Sequence, residues 1–252
     1  MKLKLGLISI LSATLFLNAC TTTTTGKIPT EVKPDYNRAY QDYLRLGAEY
    51  VQRGRYDLAE PKLKRAIEID SRPPEAWNIL AVLYEEKRDI NSGNQIYQKL
   101  INSHPDYALG FMNYATFLCK FDRNPERQAL YGKMRGKGNE FKVLSYIAEG
   151  NCAREHQQYS VAENAYRQAL AYDNHAPGAL LPLADMAVQS GNYQAAMNYL
   201  KVIHTYVGYS ADSVRLAILA ARGLGDVNQE NEMMRVMRSN YQGTSQAKTL
   251  GI

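Results

Sequence analysis

The sequence predicts an all-α fold, an α-α superhelix built from six stacked helix-turn-helix repeats. Three observations predict it. Small and large apolar residues recur every 34 residues from about Tyr40 onward, and self-similarity at such a period marks a stack of supersecondary units. Inside each period the apolar positions fall at helical spacing, so one unit holds two amphipathic helices. The repetitive part, roughly 215 residues, is long for a single core but natural where each unit packs only on its neighbours.

The chain begins with an address. Lys2 and Lys4 form a basic start, and Leu5 to Leu17 is an uninterrupted run of low polarity. A bilayer span needs roughly 20 apolar residues, so this shorter run reads as a secretory signal over residues 1–19. It ends in Leu17-Asn18-Ala19-Cys20, which resembles a bacterial lipoprotein signal, with Asn18 where a small residue is more usual. The resemblance implies that Cys20 becomes the first mature residue and carries fatty acyl chains such as palmitate. Thr21 follows where an Asp would favour inner-membrane retention, so the implied address is the outer membrane. The alternative is an ordinary signal peptide that ends near a cysteine. Residues 20–35 hold five consecutive Thr with Gly26, Pro29 and Pro34, too few apolar side chains for a core, and read as a flexible tether.

The repeats occupy 36–242, followed by a C-terminal tail at 243–252. The first carries Tyr43, Leu46, Gly47 and Tyr50, then Ala59, Leu63 and Ala66. Those spacings resemble the tetratricopeptide pattern W-x2-L-G-x2-Y…A-x3-F. Helices cross closely where Gly47 and Ala59 present almost no side chain. Arg53-Gly54-Arg55 makes the turn, and Pro61 is expected in the first turn of the second helix. The second repeat starts near Pro74 with Trp77, Leu80, Ala81 and Tyr84, and the third near Ala108 with Phe111, Tyr114 and Ala115. The fourth starts near Val143, one residue late, with Tyr146, Gly150 and Ala162. The fifth starts near Pro177 and the last near Ala211, which keeps only an apolar skeleton, as a capping repeat facing water does. Gly132 to Gly138 is glycine-rich and basic, but it lacks the phosphate-loop spacing and follows no strand, so it reads as a solvated turn between repeats.

Composition narrows the function. Nineteen Tyr against five Phe suit a thin two-helix layer in which a ring is buried and its hydroxyl is wet. Net charge is +5; without Lys2 and Lys4 the excess falls to three, with no long basic run, so nucleic acid is not an expected partner. No metalloprotease, serine-hydrolase or Cys–His arrangement is present, and Glu85, Glu86 and Glu155 read as solvated helix faces. The reading is a binding protein, not an enzyme, with no cofactor and no small-molecule substrate. Of three cysteines, Cys119 and Cys152 fall late in the first helices of adjacent repeats, where they could reach disulfide distance in an oxidising compartment. Two inert buried thiols are the alternative. The four histidines lie in different repeats with no two at ligand spacing, so no metal is expected.

First helices of successive repeats should line the concave side. That places Leu44, Ala48 and Val51 there from the first repeat, and Asn78, Val82, Glu85 and Glu86 from the second. Later repeats add Met112, Thr116, Leu144, Ile147, Asn151 and Arg154. The first repeat supplies no charge to this face, and an uncovered apolar groove normally marks a partner site, suited to an amphipathic helix. Residues 35–39 folding back over it would be the bland alternative.

A lipoprotein signal, a tether, six repeats and a cysteine pair in the middle repeats together resemble the pilotins of type IV pilus systems, outer-membrane lipoproteins of pilus biogenesis. The resemblance runs from Met1 to about Asn240. It implies a non-catalytic escort, lipid-anchored and facing the periplasm. Such an escort binds the pilus secretin subunit and promotes its outer-membrane localisation and multimerisation, and so supports pilus assembly and twitching motility. In that family the contact is attributed to an apolar groove at the first repeat, which corresponds here to Leu44, Ala48 and Val51. A repeat lipoprotein that scaffolds peptidoglycan or outer-membrane insertion machinery is the alternative.

Overall fold

Twelve helices pair into six antiparallel hairpins in a computed structural model, which describes residues 35–251. The pairs are α1 (Tyr36–Gln52) with α2 (Tyr56–Ile69), α3 (Glu75–Glu86) with α4 (Ile90–Ser103), and α5 (Ala108–Lys120) with α6 (Asn124–Arg135). They continue with α7 (Asn139–Glu155) and α8 (Tyr159–Tyr172), α9 (Pro177–Gln189) and α10 (Tyr193–Tyr206), then α11 (Ala211–Leu224) and α12 (Val227–Asn240). A thirteenth, α13 (Ser245–Thr249), closes the C-terminal end. No described helix is long and apolar enough to cross a membrane. The expected signal segment, the threonine-rich tether and Cys20 lie outside the described residues.

One backbone device makes every hairpin. Gly54, Arg88, Asp122, Gln157, Gly191 and Gly225 all have positive φ, and each is followed by an N–H that reaches back to the helix it leaves. Arg55 N donates to Tyr50 O at 2.8 Å, Asp89 N to Tyr84 O at 2.9 Å, and Asn192 N to Ala187 O at 2.8 Å. This is the left-handed closure that satisfies the last carbonyls of a helix. Glycine adopts it at no steric cost in three repeats. The single inserted residue shows here too, since the step from Asp122 to Gln157 is one longer than the others. The residue after the turn then caps the next helix where its side chain permits. Asp89 accepts from Ser92 N, Asn192 from Ala195 N and Asp226 from Gln229 N, a cap each worth about 1 kcal/mol.

Stacking follows from close approach. A Cβ on Gly47 would lie 2.6 Å from Leu63 Cδ2, so α1 and α2 meet at a distance no larger residue allows. Gly150 stands in the same relation to the Tyr166 ring in the fourth repeat. Each odd-numbered helix packs on the next odd-numbered helix, whereas even-numbered helices pack chiefly on odd ones. The odd layer is therefore the inner, concave one. The largest core cluster joins the second to fourth repeats and is aromatic: Tyr97 stacks on Tyr114 at 5.3 Å, and Phe111 meets Phe141 edge-on at 5.1 Å.

The structure corrects several local expectations. Pro61 is the sixth residue of α2, not a first-turn residue, because the helix starts at once after the Gly54 turn; the exposed ring lies on the water side. Gly132 to Arg135 belong to α6, with Met134 in the core, so only residues 136–138 form the turn. α7 begins four residues before Val143, since Phe141 has an aromatic partner to bury against. Residues 36–39 extend α1 along its own axis and do not fold back over the first repeat. The last repeat is not simply open to water: α13 lies on α11, with Ala247 fully buried. Gln246 Nε2 donates to Asp212 at 2.9 Å and the Tyr241 hydroxyl to Tyr209 O at 2.8 Å.

Candidate protein-binding face

The concave face is built from apolar positions interleaved with polar rungs that cross from one repeat to the next. Leu44, Ala48 and Val51 are half-buried on α1. Leu44 and Val51 reach inward to the cluster of Leu63, Leu80 and Leu83, so part of the expected groove already serves the core. Val82 is half-buried on α3. Asn78 departs from the expectation of an open contact residue: it is 8% exposed and accepts from Asn113 Nδ2 at 2.9 Å. Burial of an amide is tolerable only with such a partner, and the partner lies 35 residues away. Ile147, also expected on the open face, is buried, while Met112, Leu144, Asn151 and Arg154 are half-buried and Thr116 is exposed.

Further rungs follow the same logic. Glu85 is not a solvated acid, as the sequence suggested; its side chain is 12% exposed and accepts from Lys120 Nζ at 2.9 Å and from the Tyr97 hydroxyl at 3.2 Å. Glu86 stays exposed, 3.6 Å from the same Lys120. Asp185 of α9 is shared between Arg154 of α7 at 3.7 Å and Arg215 of α11 at 3.8 Å. Counted over these rungs alone, Glu85, Glu86 and Lys120 leave one negative charge, and Arg154, Asp185 and Arg215 one positive charge. Such partly solvated pairs fix register between repeats more than they stabilise.

Outside the concave face, Glu60 of α2 gathers Lys64 from its own helix and two groups, Tyr84 and Lys87, from the second repeat. Lys64 and Lys87 donate at 2.8 and 2.9 Å and the Tyr84 hydroxyl at 2.9 Å. The Lys64 bond foremost, then that of Lys87, holds the Glu60 carboxyl down at about 2. A lowered folded pKa contributes stability above the ordinary value of 4.5 and loses it as pH falls toward 2. Thermal melts between pH 6 and pH 3 should therefore lose roughly 1–2 kcal/mol through this site, after allowance for the solvent-exposed Lys64. Glu60→Gln should flatten that part of the profile.

Cys119, near the end of α5, and Cys152, on α7, are joined in a disulfide with Cα atoms 5.7 Å apart. His156 lies beside them: its ring and the two sulfurs present three ligand atoms within 4.8 Å of one another. Pairing histidines only with histidines missed this, although Cys152 and His156 are one helical turn apart. Sequence reasoning also missed a cleft of about 550 Å³ between α8, α9 and α10, lined by Tyr159, Arg167, Met186 and Tyr199 among others. Its walls come from three helices, which no single-helix pattern reveals.

Comparison with known proteins agrees with this architecture. Residues 44–108 and 153–204 each match a tetratricopeptide repeat family. The chain is 24% identical over 202 residues to the type IV pilus assembly protein PilF of Pseudomonas aeruginosa, covering 79% of each. A crystal structure of PilW, described as a widely conserved type IV pilus biogenesis factor, superposes with a TM-score of 0.57 at 22% identity, covering 86% of this chain and all of that one. A structure of Pseudomonas aeruginosa PilF gives 0.54 at 22% identity, over 86% and 99% of the two chains. The hairpin stack is thus a tetratricopeptide-repeat solenoid, and the chain is similar to the type IV pilus biogenesis proteins PilF and PilW.

Proposed function

We propose that the protein is a non-catalytic escort of type IV pilus assembly. It is lipidated at Cys20, held at the outer membrane facing the periplasm, and binds the pilus secretin subunit so that the subunit reaches that membrane and multimerises there. The observation that carries this reading is the similarity to a pilus assembly protein across 79% of both chains, on a fold whose recurring use is protein recognition. The physical rationale is local concentration. A secretin subunit in transit exposes strand edges that invite aggregation, and a membrane-moored binder raises its concentration where assembly occurs.

The contact is assigned to the first-repeat groove at Leu44, Ala48 and Val51, with Val82 at its edge. Leu44 is a poor probe because it also packs into the core, so Leu44→Glu would mix lost binding with lost stability. Ala48 is half-buried and belongs to no core cluster. Ala48→Arg should reduce heat-resistant secretin multimers in the outer-membrane fraction at least tenfold while helix content by circular dichroism stays unchanged. Deletion of the gene should abolish those multimers and surface pili. Normal multimers and pili in the deletion strain would sink the reading, and envelope defects with intact pili would instead favour a scaffold for envelope assembly.

A further inference from the structure

We propose that the Cys119–Cys152 pair has a second chemical state: once reduced by a dithiol, it becomes, with His156 and Glu155, a binding site for Zn²⁺. The donors come from two helix ends that the disulfide already holds together. Cys152, Glu155 and His156 share one face at the C-terminus of α7, spaced i, i+3 and i+4. Cys119 arrives from the end of α5, and Glu155 Oε2 lies 3.5 Å from its sulfur. The two sulfurs and a ring nitrogen of His156 lie within 4.8 Å of one another. A tetrahedral zinc with bonds of about 2.0–2.3 Å holds its donors about 3.3–3.8 Å apart, so the two sulfurs, bonded to each other in the disulfide, separate after reduction while the partly exposed His156 ring closes on them. Asp122, in the α5–α6 turn, stands 3.6 Å from His156 Nε2, so a zinc bound through Nδ1 would leave Nε2 to this carboxylate.

An independent observation points to a ligand here. A cavity of about 190 Å³ is lined by Cys152, His156, Asp122 and Tyr131. The Tyr131 side chain is 1% exposed and its hydroxyl has no protein partner. Buried hydroxyls are normally satisfied, so the cavity wall offers a polar contact to whatever occupies it. Two thiolates and an imidazole are a donor set for zinc and not for magnesium or calcium.

A thiolate of the dithiol attacks one sulfur of the pair and breaks the S–S bond. The second thiol of the reductant then displaces the mixed disulfide, so the reductant leaves oxidised by two electrons, and Cys119 and Cys152 remain as thiols. Binding one Zn²⁺ releases their two protons. The cation neutralises both thiolates and restores the link between α5 and α7.

The test uses the full chain carrying Cys20→Ser, so that no third thiol competes. It is reduced with dithiothreitol, desalted without oxygen and titrated with Co²⁺, then with Zn²⁺ against a chelating dye. The expected result is one metal per chain with thiolate-to-cobalt charge-transfer absorbance, and a thermal midpoint raised by Zn²⁺ in the reduced but not the oxidised protein. His156→Ala, which keeps both cysteines, should weaken binding at least tenfold. Absence of stoichiometric binding would overturn the proposal. So would affinity indifferent to His156→Ala, or a reduced chain that loses its helical signal and does not regain it with Zn²⁺.

Discussion

Replacing both Cys119 and Cys152 with Ser should lower the unfolding free energy by about 3–4 kcal/mol, the value expected when a link of this loop length is removed from the unfolded chain. The two positions are 33 residues apart in sequence, close to one repeat, so the link restrains a single hairpin step. In a body of this size the loss corresponds to a fall in Tm of about 7–14 °C if unfolding remains cooperative. A solenoid is a chain of nearest-neighbour interfaces, so the loss should also be localised. Hydrogen exchange should quicken first along the contact of α5 with α7, where one inserted residue breaks the regular step between Asp122 and Gln157. Differential scanning calorimetry on the double variant and on the reduced parent should give the same midpoint when no metal is added. A double variant as stable as the oxidised parent would show that the aromatic packing around Phe111, Phe141 and Tyr131 already holds the two repeats together.

Much of this architecture was legible because a solenoid writes its geometry into one period. The apolar positions located four of the six repeat starts to within a residue, at Glu75, Ala108, Pro177 and Ala211. Residues in left-handed conformation then recur in register from Gly54 to Gly225. Depth was less legible than direction. Asn78 and Glu85 face the expected side, but whether each is open depends on Asn113 and Lys120, about one repeat later in the chain. A pattern read along one helix carries no information on a partner contributed by the next. The early start of α7 was hidden for a similar reason: Asn139, Glu140 and Lys142 are polar, and only the pairing of Phe141 with Phe111 explains the additional turn. α13 is five residues long, too short for a helical period to register. The candidate site shares this division. Repeat position suffices to put Leu44, Ala48 and Val51 on α1 of the odd-numbered layer, while the cluster of His156 and Glu155 around the disulfide required the contact of two helix ends.

Tyr97→Ala should cost about 3–5 kcal/mol, the range for removing a large aromatic from a packed core. The ring is 0% exposed, stacked on Tyr114 at 5.3 Å and tilted against Phe117 at 5.2 Å, so its loss empties the junction of α3, α4 and α5. Burial first, and the Glu85 carboxylate second, push its hydroxyl far above the ordinary tyrosine range, so it acts as a neutral donor throughout the working pH range. Tyr97→Phe keeps the ring and removes only the bond to Glu85, which retains Lys120; its cost should be about 1 kcal/mol. The difference between the two variants separates packing from hydrogen bonding at one position. The damage should also be directional. The third and fourth repeats stay linked through Cys119 and Cys152, whereas nothing covalent besides the backbone links the second repeat to the third among the described residues. Hydrogen exchange on Tyr97→Ala should therefore show protection falling in α1 to α4 while α7 to α12 remain near parental values. The first-repeat groove would lose its support with its residues unchanged. Secretin multimers should then decline in Tyr97→Ala cells and persist in Tyr97→Phe cells, and equal multimer levels in the two strains would show that the groove does not depend on the second repeat.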